Sequence, residues 1–212
     1  MSDVLTLDDV RLGGKVVLYR VDVNSPLEPS SGAFLDDSRL RAIIPTLRTL
    51  QNSKVVMLGH QSRPGKIDFT NMEQHADRIS RLIGKKVKFI SDICGDEAIS
   101  SIKNLKIGEM LFLDNIRMHD DENSMKKASL EETAQSEIVR KLSSVIDVYV
   151  TDAFAAAHRN SPSLTGFYDS VPCIAGHLMS KEISNLQIAV NDPPRPYIAI
   201  LGGTKCDDSL KV

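Results

Sequence analysis

The sequence predicts an α/β protein with a mainly parallel sheet, and three observations carry that prediction. Short apolar runs rich in valine and isoleucine recur along the chain. Capped or amphipathic stretches of helical pattern lie between most of them. Polar residues with chemical potential gather just after the runs. Apolar runs too short for helices read as buried strands, and strands alternating with helices imply βαβ units.

Taken in order, the predicted strands are KVVLYR (15–20), KVVML (54–58), KKVKFI (85–90), EMLFL (109–113), VIDVYV (145–150) and PYIAIL (196–201). RLRAIIPTLRTLQ (39–51) predicts the first helix, starting behind Asp37-Ser38, with a kink at Pro45, which lacks the N–H a helix interior needs. Thr70 to Glu73 and Ser129 to Glu132 have the spacing of capping boxes, in which a hydroxyl and a glutamate each satisfy an orphan backbone N–H. Gly84 is placed to stop the helix that follows the first box. GHLMSKEISNLQIAVN (176–191) reads as a long amphipathic helix, followed by the turn-rich NDPPRP and the last strand. The expected organisation is one domain over 1–175, a connecting helix over 176–191, and the start of another domain over 192–212. Leu178, Ile183, Leu186, Ile198 and Ile200 are expected to leave apolar surface exposed there, or buried in a contact with another chain.

Bulk properties narrow the function. The 212 residues are 42% hydrophobic and 25% charged, with a formal net charge of −2. Nothing in that balance provides the basic field of a nucleic-acid binder. Cys94, Cys173 and Cys206 lie far apart without a CxxC pair, so no disulfide framework or zinc site is signalled. The N-terminus has no apolar signal core, and no run approaches a membrane span. The expectation is a cytoplasmic protein with no membrane partner.

The strand ends are more informative. The first strand runs into Asp22 and Asn24, the second into His60 and Arg63, the fourth into Arg117, and the fifth into Asp152, His158 and Arg159. Open parallel sheets bind ligands outside the carboxyl ends of their strands. Arginine presents a planar fork of donors that fits phosphate or carboxylate oxygens, so several converging arginines suit a small, multiply charged anion. Asp22 and Asn24 suit its hydroxyls, or the orientation of the arginines, and Arg39 could reach the same crevice from the start of the first helix. His60 is as consistent with a structural histidine as with a ligand contact. Asp152 could cap a helix or pin its loop. His75 and His119 have no supporting context and read as surface residues. No His/Asp/Glu/Cys set has metal-ligand spacing.

RVDVNSP, HxxRP, DNIR, DAFAAAHR, AGHLMSKE and AILGGTK follow in that order, and together they resemble the phosphoglycerate kinase family. The resemblance spans the whole chain. It implies a Rossmann-like parallel sheet flanked by helices, corresponding to the N-terminal half of a two-domain kinase, with the interdomain helix and the opening of the nucleotide domain. It further implies reversible phosphoryl transfer between 1,3-bisphosphoglycerate and ADP, giving 3-phosphoglycerate and ATP, with Mg2+ accompanying the nucleotide. This chain would bind 3-phosphoglycerate and be inactive alone, with no cofactor bound, its partner being the missing nucleotide domain. The full-length form would be a monomer.

By motif match, Asp22 and Asn24 would meet the glycerate hydroxyl and carboxyl region. His60, Arg63, Arg117 and Arg159 would hold the 3-phosphate and the body of the substrate. Arg39 would face the moving phosphoryl group as the catalytic arginine, and Lys205 would contact nucleotide phosphates. The chain departs from the family at three positions. Ser62 and Ala155 stand where many members have glycine, and Ser209 where a second lysine is common. These departures suit an archaeal-type member. Two other readings remain open: a stand-alone binding or sensor domain for a phosphorylated acid, and an unrelated nucleotide-binding fold with an interaction role. The second has little to stand on, because GxxxxGK[ST] is absent.

Overall fold

The computed structural model of the protein describes residues 4–198 and residue 200. The chain divides into two compact units, Met1–Lys181 and Glu182–Val212, so the division falls inside a helix rather than before it.

The first unit is built on six parallel strands: β1 (Val16–Arg20), β2 (Lys54–Leu58), β3 (Val87–Phe89), β4 (Met110–Phe112), β5 (Val148–Thr151) and β6 (Cys173–Ala175). Their spatial order is β3-β4-β2-β1-β5-β6. In register, Val17 sits between Val55 of β2 and Val148 of β5. The α/β, parallel-sheet expectation holds. Five of the predicted strands are present: β2 with its predicted bounds, β1, β3 and β4 trimmed at their ends, and β5 starting later and running one residue further, to Thr151. β6 was not predicted, because its three residues follow a proline and give too short an apolar signal.

The strands alternate apolar residues to both faces, and both faces are covered. Val17, Tyr19, Val55 and Met57 pack in one core with Leu40, Leu47 and Ile79. Leu18, Val56, Leu58 and Leu111 pack in the other with Ile102 and Leu142. Each fully buried aliphatic side chain contributes about 1.5–3 kcal/mol relative to an exposed one. This double burial is why the strands read as continuous apolar runs.

The covering helices follow local chemistry. The predicted first helix is two, α1 (Ser38–Ala42) and α2 (Ile44–Thr49), with Pro45 in the first turn of the second, where a missing N–H does no harm. α3 (Glu73–Ile83) ends at Gly84, whose φ of 66° is the left-handed conformation that favours glycine. The capping box at Thr70 is absent. The helix starts later, Asn71 Oδ1 accepts from the Glu73 amide, and the Thr70 carbonyl accepts from Asn115 instead. α4 (Asp96–Lys103) and α5 (Asp120–Ser124) lead to α6 (Leu130–Ala134), which has the Ser129–Glu132 capping box in full. α7 (Glu137–Ser143) and α8 (Pro162–Thr165) precede the last helix, α9 (His177–Asn191).

In the second unit, Pro196, Tyr197, Ile198 and Ile200 form no strand. A β-strand is defined by a ladder to a neighbour, and these residues have none among the described residues. The rest of the predicted strand lies outside the described residues. Leu186, Ile188, Val190, Ile198 and Ile200 are exposed, whereas Leu178 and Ile183 are half-buried.

Candidate anion-binding site

The sheet order brings β4, β2, β1 and β5 side by side. These are the four strands whose ends carry the candidate residues, so residues as far apart in sequence as Asp22 and Arg159 meet at one edge. The chain leaves β1 toward β2 on one side and later returns to β5 on the other, which makes this the switch point where open parallel sheets have a crevice.

A cavity of about 710 Å³ lies there, lined by Arg20, Arg63, Arg117, Lys126 and Arg159, with His158 beside them. Glu122 is the carboxylate in the lining, and it is engaged: it accepts from Ser161 Oγ at 2.9 Å, Ser163 Oγ at 2.8 Å and the Ser163 amide at 3.0 Å.

Arg20, the last residue of β1, was not singled out from the sequence, yet it is the most constrained cation of the site. It is 1% exposed. Its Nε donates to Ser163 Oγ at 3.1 Å, one terminal nitrogen donates to the Val21 carbonyl at 2.5 Å, and the other lies 3.3 Å from His60 Nδ1. A guanidinium has five N–H groups, so two remain for a ligand. Among the described residues no carboxylate lies within ion-pairing distance of it. A buried charge without a counter-charge is costly, and a bound anion would remove that cost. The available signal was an arginine closing an otherwise apolar strand.

His60 is 5% exposed. Since the guanidinium can only donate, Nδ1 must accept and the ring proton must sit on Nε2. Burial, reinforced by the charges of Arg20, Arg117, Arg159 and Arg39, pushes its pKa down to about 2. It is therefore a neutral donor across ordinary pH. Arg117 is half-buried and donates to the Ser62 carbonyl at 2.6 Å. Burial, then Arg159, draws its pKa below the usual arginine value. Arg63 and Arg159 are exposed at the cavity rim.

Asp22, Asn24 and Arg39 stand beside the cavity rather than in its lining. The Asp22 carboxylate is buried, pairs with Arg39, and accepts from the Asn24 amide at 3.3 Å. Asn24 Oδ1 accepts from the Ser62 amide at 2.7 Å. Ser62 has φ of 56°. Such a conformation is uncommon for a residue with a side chain, and here the Ser62 hydroxyl is held by Asp68 at 2.6 Å. Ala155 is not in that region of backbone space.

Asp152 is fully buried at the end of β5 and outside the cavity lining. It accepts from Tyr19 Oη and Thr46 Oγ1, each at 2.6 Å, and from the Met179 amide at 2.9 Å, capping the first turn of α9. Gly176 permits this, since a Cβ there would lie 2.3 Å from the carboxylate. His75 is not a surface residue. It is fully buried against Phe34 and hydrogen-bonds Gln61. His119 is half-buried and accepts from the Asp121 amide at 3.3 Å as the cap of α5. Lys205 lies outside the described residues. A depression of about 620 Å³ beside α1 and α3 is different in kind: its Asp37 is already paired with Arg78 and Arg41.

Fold and site together define an α/β protein with a polycationic pocket at the switch point of its sheet. The phosphoglycerate kinase family model matches residues 7–212, and the chain belongs to that family. A phosphoglycerate kinase of Methanothermobacter thermautotrophicus is 45% identical over 209 residues, covering 98% of this chain and 50% of that protein. One from Archaeoglobus fulgidus is 44% identical over 98% of this chain. Among solved structures, the phosphoglycerate kinase of Pyrococcus horikoshii superposes with a TM-score of 0.92 at 43% identity, over 98% of this chain and 51% of that one. The Coxiella burnetii enzyme gives 0.76 at 26% identity. The chain spans about half the length of the relatives it matches.

Proposed function

We propose that this chain is the phosphoglycerate-binding part of a phosphoglycerate kinase, which moves a phosphoryl group between 1,3-bisphosphoglycerate and ADP. The observation that carries the reading is Arg20: a buried guanidinium without a carboxylate, on a cavity that three further arginines enclose. In this reading Arg20, Arg63, Arg117 and Arg159 hold the phosphate, and His60 donates through Nε2. Asp22 orients Arg39, whose guanidinium stabilises charge on the transferring group. Asn24 fixes the Ser62 turn and meets the glycerate end.

Phosphoryl transfer requires positioning and charge stabilisation rather than a protein nucleophile. Residues 1–175 then form the substrate domain, 176–191 the interdomain helix, and 192–212 the start of the nucleotide domain, with Lys205 on the nucleotide. Among the described residues no group of three His, Cys, Asp or Glu side chains could hold a metal. Mg2+ would accompany the nucleotide. None of the described helices is long and apolar enough to cross a membrane. The proposed setting is glycolysis or gluconeogenesis in the cytoplasm, with a monomeric full-length enzyme.

Calorimetric titration of the 212-residue chain with 3-phosphoglycerate tests the reading. Binding is expected, weakening as salt screens the arginines, and the chain alone should form no 1,3-bisphosphoglycerate from ATP. Absence of binding at millimolar ligand would remove the substrate assignment, and turnover by the pure chain would remove the claim that it is incomplete.

A further inference from the structure

One layer behind the cavity, Gln61 is fully buried in a loop otherwise given to charge. Its side chain pairs with the Ser25 backbone in both directions: Oε1 accepts from the Ser25 amide at 3.2 Å, and Nε2 donates to the Ser25 carbonyl at 2.9 Å. The backbone partners fix which end of the amide is oxygen. His75 Nε2, 3.1 Å from that same Oε1, must therefore carry its proton and donate. The Gln61 carbonyl in turn accepts from Asn115 at 2.8 Å, in the loop after β4. One residue thus ties the loops after β1, β2 and β4 to α3.

The next residue is Ser62, whose left-handed backbone offers its carbonyl to Arg117 and its amide to Asn24. We propose that Gln61, held by His75, is a positioning residue of the anion cavity, setting the Ser62 turn that aims Arg117 and thereby the affinity for the phosphorylated acid. The inference rests on the substrate reading above and names two residues outside the cavity lining that tune it.

Gln61→Leu keeps the volume and removes all three side-chain hydrogen bonds. His75→Phe keeps the edge-on packing against Phe34 and removes one donor, while His75→Gln restores a donor. In calorimetry with 3-phosphoglycerate, Gln61→Leu should bind about tenfold more weakly, the scale of a lost buried constraint. His75→Phe should lose less, and His75→Gln should recover most of that loss. The double variant Gln61→Leu/His75→Phe should bind no worse than Gln61→Leu, because the two residues act through one clamp. Ile79→Val, a core change elsewhere on α3, should leave affinity unchanged.

Amide exchange provides a readout that needs no ligand: the Ser62 N–H should exchange faster in Gln61→Leu. Unaltered Ser62 exchange, wild-type affinity in Gln61→Leu, or an equal loss in Ile79→Val would each overturn the clamp. If the unsubstituted chain fails to bind 3-phosphoglycerate, the substrate reading falls, and Ser62 exchange alone then decides whether Gln61 sets the turn.

Discussion

His60 and His75 are both buried and both neutral, for different reasons. At His60 burial acts with the repulsion of four arginines and brings the pKa to about 2; at His75 burial dominates, opposed by the Val23 carbonyl, and brings it to about 4. In the unfolded chain each takes up a proton near 6.5. Between about pH 4 and 6.5 the unfolded state therefore binds more protons than the folded one, and stability falls as pH falls. Above 6.5 neither group contributes to the slope. Near pH 5 the two together should give a slope of about 2.7 kcal/mol per pH unit. Urea unfolding between pH 7 and 5 measures it, and imidazole NMR shifts for these two residues should stay flat over that range. A midpoint near 6.5 for either would show that it is not buried as described.

At the scale of the element, the best-held junction is the start of α9. Asp152, just after β5, accepts from Tyr19 on β1, Thr46 on α2 and the Met179 amide, and Thr46 Oγ1 accepts from the His177 amide at 3.0 Å. A carboxylate at a helix N-terminus satisfies orphan N–H groups and meets the positive end of the helix dipole. The cap comes from the end of a strand rather than from the preceding residue, so the first turn of α9 is held to the sheet. Asp152→Ala leaves three donors without this acceptor and should destabilise the fold by about 3 kcal/mol or more. Asp152→Asn should be milder, because the two hydroxyls can rotate to accept. Denaturant midpoints rank the variants, and the Met179 amide should exchange faster in Asp152→Ala. Unchanged Met179 exchange would mean that the carboxylate does not hold the helix.

For the molecule as a whole, the arginines divide by what surrounds them. Arg63 and Arg159 sit at the cavity rim, while Arg39 is held by Asp22 outside the lining. In a chain extended to the length of its relatives, Arg159→Ala should mainly raise KM, because a phosphate of constant charge is held equally in ground and transition states. Arg39→Ala should lower kcat, by about a hundredfold or more if it stabilises charge on the moving phosphoryl group. Steady-state kinetics of both variants at matched salt, after checking that their thermal midpoints are near wild type, separate the roles. A folded Arg39→Ala enzyme with altered KM alone would make Arg39 a binding residue only.

The sequence by itself determined the layers: apolar runs buried on both faces, the break at Pro45, the left-handed stop at Gly84 and the capping box at Ser129 are all decided within a few residues. The strand-end cations were legible for a similar reason, since a parallel strand delivers its next residues to one edge of the sheet. Strand order was not legible, because it depends on which distant runs pair. Only that order brings Arg117, His60, Arg20 and Arg159 to one crevice. Arg20 was hidden inside a strand signal, and His75 and Gln61 looked like isolated polar residues. Their roles come from partners brought close by the fold: Ser163 for Arg20, 143 positions away, and Ser25 for Gln61, 36 positions away. Local sequence sets backbone preference and apolar periodicity, whereas the burial and pairing of a polar side chain depend on the packed fold.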